Sequence, residues 1–111
     1  MVRLFRNELH DDFGTWPIAY IPYGGADYGE IRAVAEAVGD GDDNAFHRAW
    51  SAAGDRLAAA ADAALAKGHR ASARDHYLRA SVFYGASFHP LYGAPVDPRI
   101  LAVYRKQVAA L

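Results

Sequence analysis

Residues 49–81 read AWSAAGDRLAAAADAALAKGHRASARDHYLRAS, two helical patterns separated by one glycine, Gly68. Upstream of it, Phe46, Trp50, Ala53, Leu57, Ala60 and Ala64 step by four and three residues, the narrow seam of a helix that packs along its length. Asp42 or Asp43 offers an N-cap, Lys67 places a cation at the C-terminal end, and Gly68 stops the helix. Bulk lies at the start of the seam and alanine at its end, where a second helix can approach closely. That second helix begins at Ser72 or Arg70 and puts Ala73, Tyr77, Ala80 and Tyr84 on one face, with Phe83 and Phe88 beside them. His89-Pro90 ends it, so the two helices are expected to form an antiparallel hairpin.

Two further helices flank the hairpin. Asp27 caps the first, with Glu30 three residues later in a capping-box arrangement, and Ile31, Val34, Ala35 and Val38 follow helical spacing up to Gly39. After the loop LYGAPVD at 91–97, Asp97 and Pro98 open the last helix, whose apolar stripe is Ile100, Leu101, Tyr104 and Val108. It carries no stop signal, from which a longer natural chain is expected. Residues 1–26 place Phe13, Trp16, Tyr20 and Tyr23 among Pro17, Pro22, Gly24 and Gly25. Prolines disfavour helix in the residues before them, so this reads as an irregular, extended arm ordered by laying its rings on something else. The nearest approach to a strand, IAYIPY at 18–23, is weakened by the same prolines. The expected fold is all-α: about four helices with a central hairpin, an arm over 1–26 and a helical domain over 27–111. No self-similarity near a period of about 34 residues supports a repeat array.

A chain of 111 residues fits one domain, able to bury about two-thirds of its unfolded surface. Lys and Arg number 12 against 13 Asp and Glu, which argues against a nucleic-acid footprint or a polybasic membrane patch. The absence of cysteine excludes disulfides, thiol catalysis and cysteine-bound zinc. The longest apolar run, LAAAADAALA at 57–66, is broken by Asp62 and falls short of the roughly 18 residues a bilayer span needs. Charges interrupt the N-terminus every few positions, unlike a signal peptide, so a cytoplasmic location is expected.

None of Ser51, Ser72, Ser81 and Ser87 stands in a G-x-S-x-G frame, and no strand leads into any of them. Ser72 and His76 are one helical turn apart, an ordinary spacing on a helix surface. The five histidines form no H-E-x-x-H or i, i+4 pair, so zinc is not expected. HDD at 10–12 reads as a solvated polar tip. GDGDDNAF at 39–46 lacks the calcium-loop pattern, and GGADYG at 24–29 lacks dinucleotide-loop order. No metal or cofactor is expected. Phe46 and Trp50 belong to the core. The remaining aromatics, Tyr20, Tyr23, Tyr28, Tyr77, Phe83, Tyr84, Phe88 and Tyr92, exceed what a small helical core needs. They read either as packing of the arm on the hairpin or as an apolar wall with hydroxyl handles, facing a ligand or another domain.

Three tracts carry a likeness: PYGGADYGEIRAVAEAV at 22–38, the quoted stretch at 49–81, and DPRILAVYRKQVAAL at 97–111. Together they resemble the N-terminal helical region of a group of α/β-hydrolases. The group includes 2,6-dihydropseudooxynicotine hydrolases, the fermentation-respiration switch protein and fungal hydrolases that shorten polyketides. The most specific part runs through Trp50, Gly68, His69, Ser72, Ala73, Tyr77, Leu78, Arg79 and Ala80. The resemblance implies a cap over a catalytic core that cleaves an ester or a C–C bond beside a carbonyl. The Ser, acid and His of that core, in that chain order, have no counterpart here. It implies a core in the same gene or on a separate chain as partner, and a small aromatic or polyketide-like substrate. Tyr77, Phe83, Tyr84, Phe88, His89, Trp16 and Tyr23 are then the candidates to line the pocket. An exposed apolar patch and self-association are expected of the chain alone. After LRAS the chain reads VFYGASFHP, without the Arg and acidic residue the group tends to hold there, which leaves the polarity at this end open. The alternative is a stand-alone interaction module: KGHRASARDHYLRAS at 67–81 has the small-residue and tyrosine spacing of a tetratricopeptide helix, though in one copy only.

Overall fold

A computed structural model describes residues 3–93 and 95–111; Ala94 of the 91–97 loop and the first two residues of the arm lie outside the described residues. Two long helices dominate it, α3 (Asp43–Ala66) and α4 (Arg70–Ser87), antiparallel as the spacing predicts. Asp42 caps α3 by accepting the Ala45 N–H at 2.9 Å. Gly68 takes the left-handed conformation (φ 77°), and the N–H groups of Gly68 and His69 close back on the carbonyls of Leu65 and Ala64, both at 2.9 Å. No side chain caps α4, which begins at Arg70.

Phe46, Trp50, Ala53 and Leu57 are buried in the α3 seam, but the next buried position is Ala61, with Ala60 exposed and Ala64 half-buried. The predicted 60/64 register keeps a 3.5-residue period, whereas a helix near 3.6 residues per turn rotates its face onward to 61. From α4, Ala73, Ala80, Phe83 and Tyr84 are buried opposite, and Tyr77 is half-buried. Gly54 sets the closeness of the hairpin: a Cβ there would stand 2.7 Å from the Tyr84 ring.

Two helices flank the hairpin. In α2 (Tyr28–Val38) all four predicted apolar residues are buried, and Asp27 accepts the Glu30 N–H at 3.2 Å. The reciprocal half of the capping box is missing, because the Glu30 carboxylate instead accepts from Arg79 Nε at 2.9 Å and ties α2 to α4. In α5 (Pro98–Ala109) Asp97 caps by accepting the Arg99 N–H at 2.9 Å. Hydrogen bonds from the Arg99 side chain and backbone hold the Asp97 carboxyl down to about 2. Arg99 Nη1 also donates to Asn44 Oδ1 at 2.7 Å, fixing α5 to the start of α3. Most of the predicted α5 stripe faces away from the core, with Ile100 half-buried. Val103 and Ala110 are buried, while Leu101, Tyr104 and Val108 are 51%, 51% and 50% exposed. The principal neighbour of α5 is α4, so one narrow face is covered and the more apolar face points out.

The arm departs most from expectation. It is not extended: α1 (Glu8–Gly14) is followed by a 3₁₀ segment, Trp16–Tyr23, with both Pro17 and Pro22 inside it. A 3₁₀ turn pairs i with i+3, and proline sets the φ it needs while removing only its own donor. Gly24 (φ 79°) ends the segment. The 10–12 stretch is not a solvated tip either. His10 is 1% exposed, with its Nε2 2.7 Å from Asp43 Oδ1 and its ring 4.6 Å from Phe46. Asp11 Oδ1 accepts the N–H groups of Leu4 and Phe5 at 3.0 and 3.1 Å. That places Phe5 in the core, its ring centroid 5.5 Å from Phe46 and 6.1 Å from Trp50. Gly14 makes room for it, since a Cβ there would come within 2.2 Å of the Phe5 ring.

The described residues form five α-helices and two 3₁₀ segments, the second at His89–Leu91, with no strand among them. The body measures 41 × 35 × 20 Å, and its thin dimension is two helix layers deep. Among the described residues no helix is long and apolar enough to cross a membrane.

Candidate functional site

None of the serines sits as a nucleophile. Ser87 is wholly buried, its Oγ donating to the Tyr84 carbonyl at 2.7 Å, and Ser81 Oγ donates to the Gln107 carbonyl at 3.1 Å. Ser51 Oγ is buried without a partner among the described residues. His76 Nδ1 donates to the backbone carbonyl of Ser72 at 2.7 Å, so the pair is a helix-surface contact and not a dyad. Among the described residues no group of three or more His, Asp or Glu is placed to hold a metal ion.

The outward side of α4 carries an open, mainly apolar groove of about 410 Å³. Its floor is α4 itself, through Leu78, Ser81, Val82, Gly85 and Ala86. One wall is the 3₁₀ segment, with Trp16, Pro17 and Tyr20; the other is Gln107 with Leu111. Phe88 and His89 complete the lining where α4 ends. The position of the walls follows from the chain: Gly25 N–H closes on the Tyr20 carbonyl at 2.9 Å, and Ser81 holds α5 to α4 through Gln107.

His89 sits amid rings. Its imidazole stacks on Phe13 at 5.4 Å between centroids, meets Trp16 edge-on at 5.1 Å and lies 5.5 Å from Phe88. Burial pushes it below the ordinary histidine value, so it is neutral near pH 7. With no charged side chain in the lining, the groove offers aromatic faces, aliphatic floor and a few neutral hydrogen-bonding groups. Such a surface can bind and orient a flat apolar molecule and keep water from it; it contains no nucleophile–base pair to cleave one.

Of the sequence candidates, Trp16, Phe88 and His89 come together in this groove. Tyr23 and Tyr77 meet in a neighbouring cleft of about 560 Å³, which shares Leu78 and Leu111 with the first. Tyr23 is 80% exposed, whereas the Tyr77 hydroxyl donates to Asp62 on α3. Phe83 and Tyr84 lie in the core: Phe83 packs edge-on against Trp50 at 4.9 Å, and Tyr84 donates to Asp55 at 2.7 Å. Gln107 and Leu78 are groove residues that pattern reading missed. Gln107 shares the covered face of α5 with Val103 and Ala110, and that face is visible only once the apolar stripe is known to point outward.

No protein-family model and no solved structure matches the chain. Curated relatives do. Hydrolase acrC of Aspergillus aculeatus is 42% identical over 92 residues, 83% of this chain but 22% of acrC. The 20-hydroxy-prefusarin hydrolase FUS2 of Gibberella moniliformis is 38% identical over 90 residues, 81% of this chain and 22% of FUS2. Alpha/beta hydrolase psoB of Aspergillus fumigatus is 30% identical over 109 residues, 96% of this chain and 24% of psoB. The chain thus resembles one region, spanning 19–28% of the length, of hydrolases that include α/β-hydrolases.

Proposed function

We propose that these helices are the lid of an α/β-hydrolase-type enzyme that cleaves an ester or a C–C bond beside a carbonyl. The observation that carries this reading is an asymmetry of coverage: acrC matches 83% of this chain with only 22% of its own length. A helical region without a nucleophile, beside a much longer hydrolase, suits a part that binds and covers substrate while another part performs the chemistry. In this reading the catalytic core is the partner, on the same polypeptide or on a separate chain. Trp16, Phe88 and His89 press on the substrate from above, with Tyr23 and Tyr77 at the adjoining cleft. Phe83 and Tyr84 support them from within the core. The substrate is a small aromatic or polyketide-like molecule, and the enzyme works in the cytoplasm. Closing an apolar lid removes water around the reacting carbonyl and strengthens the electrostatic interactions that act on it.

Exchanging the matching region of FUS2 for this chain tests the reading. The expected chimera folds and hydrolyses 20-hydroxy-prefusarin, because the exchanged part contains no catalytic residue. A folded chimera with no measurable hydrolysis contradicts a lid that is separable from the chemistry.

A further inference from the structure

We infer that the groove on α4 selects an uncharged, planar ligand carrying a carbonyl or hydroxyl oxygen, and that the Gln107 carboxamide supplies a hydrogen bond to that oxygen. The inference rests on reading the groove as a ligand wall and adds the chemistry of what it takes. Every lining side chain is uncharged, so a carboxylate placed there would lose water and gain no counter-charge. The Trp16 and Phe88 rings supply flat apolar surface, which favours a conjugated ligand over a globular one.

Gln107 is one of the lining's polar residues with hydrogen-bonding capacity to spare, beside the Tyr20 hydroxyl and the His89 imidazole. Its backbone carbonyl is already occupied by Ser81 Oγ at 3.1 Å, which fixes this turn of α5 against α4. Its side-chain amide, in contrast, makes no hydrogen bond among the described residues. The amide lies over Gly85, where a Cβ would stand 2.7 Å from Nε2, so the missing side chain at 85 is what lets it rest on the groove floor. A carboxamide presents an N–H donor and a C=O acceptor together and so accommodates either a carbonyl or a hydroxyl. His89, held neutral by burial, does not add a positive charge that would attract an anion near pH 7.

The experiment is NMR titration of the ¹⁵N-labelled 111-residue chain at pH 7 with 2-naphthol and with 2-naphthoate, the same ring bearing a carboxylate. The Trp16 indole and Gln107 amide signals report on the groove. The expected result is a saturable shift of both signals with 2-naphthol and binding of 2-naphthoate weaker by about tenfold or more. Gln107→Leu should weaken 2-naphthol roughly threefold to tenfold, the range of one neutral hydrogen bond. Gly85→Ala, which favours the helix and displaces the amide, should weaken it in the same direction. If the Trp16 signal shifts but 2-naphthoate binds as well and both variants bind as the parent does, the selectivity is overturned and the ligand wall stands. If 2-naphthol moves neither signal, the ligand wall itself fails and the selectivity with it.

Discussion

Tyr84 joins two requirements in one side chain: its ring fills the space over Gly54, and its hydroxyl donates to Asp55 at 2.7 Å. Removing that hydroxyl with Tyr84→Phe should cost about 1 kcal/mol in urea unfolding. Burial, and then the Asp55 hydrogen bond, raise the Tyr84 hydroxyl above its usual value of 10.0. The folded state therefore holds this proton more tightly than the unfolded chain. The resulting stability is complete below about pH 10 and drains away as pH rises further, a loss that Tyr84→Phe should flatten. Two histidines work in the opposite sense. Burial is the first cause lowering both His47, whose Nδ1 donates to the Ser87 carbonyl at 3.1 Å, and His89. Their contribution is complete above the unfolded value of 6.5 and is lost as pH falls below it. Urea midpoints should drop between pH 7 and pH 5, and less so in a His47→Gln, His89→Phe double variant; an equal drop in both would refute this. The environment of His47 could not be read from sequence, because it lies in no motif and its partner Ser87 is 40 positions away; His89 was legible as a pocket candidate, but not its contacts with Phe13 and Trp16. The same holds for His10 as for His47, since its partner Asp43 is 33 positions away.

Among elements, the α3–α4 hairpin depends most on close approach. Gly54→Ala should favour the helix by about 1 kcal/mol on propensity alone. The added methyl would meet the Tyr84 ring at 2.7 Å, and overpacking of that kind costs about 1–3 kcal/mol, so thermal unfolding should show net destabilisation. A more stable variant would mean that the ring has freedom to move. The elements legible in sequence are those with local signals. Asp27, Asp42 and Asp97 cap where their spacing places them, and Gly68 turns the hairpin. The arm was not legible, because Pro17 and Pro22 oppose an α-helix yet fit a 3₁₀ turn, and sequence pattern does not separate 3₁₀ from extended chain. Phe5 reaches the core only through the contacts of Asp11, a link no periodicity records. In α5 the stripe was legible but its direction was not, since direction depends on how many neighbours the helix has.

At the scale of the whole molecule, apolar surface is distributed unevenly. Leu101, Tyr104 and Val108 face outward on α5, and Trp16 and Tyr23 stand exposed beside the α4 groove. Surfaces of this kind mark contact with a partner or a ligand. The chain alone should self-associate and bind a hydrophobic dye, and a Leu101→Glu, Val108→Glu variant should do both less, as light scattering and dye fluorescence can measure. A strictly monomeric parent at high concentration would count against an uncovered face. All-α architecture and likeness to hydrolases could be read from the chain, whereas the groove required the arm, α4 and α5 to be placed together. The most direct measurement of the lid role is the steady-state kinetics of Phe88→Ala in the FUS2 chimera with 20-hydroxy-prefusarin. A residue that grips substrate without taking part in bond cleavage should raise KM about tenfold, the worth of one partly lost aromatic contact, and leave kcat within about twofold. An unchanged KM, or a fall in kcat with KM constant, would contradict the account.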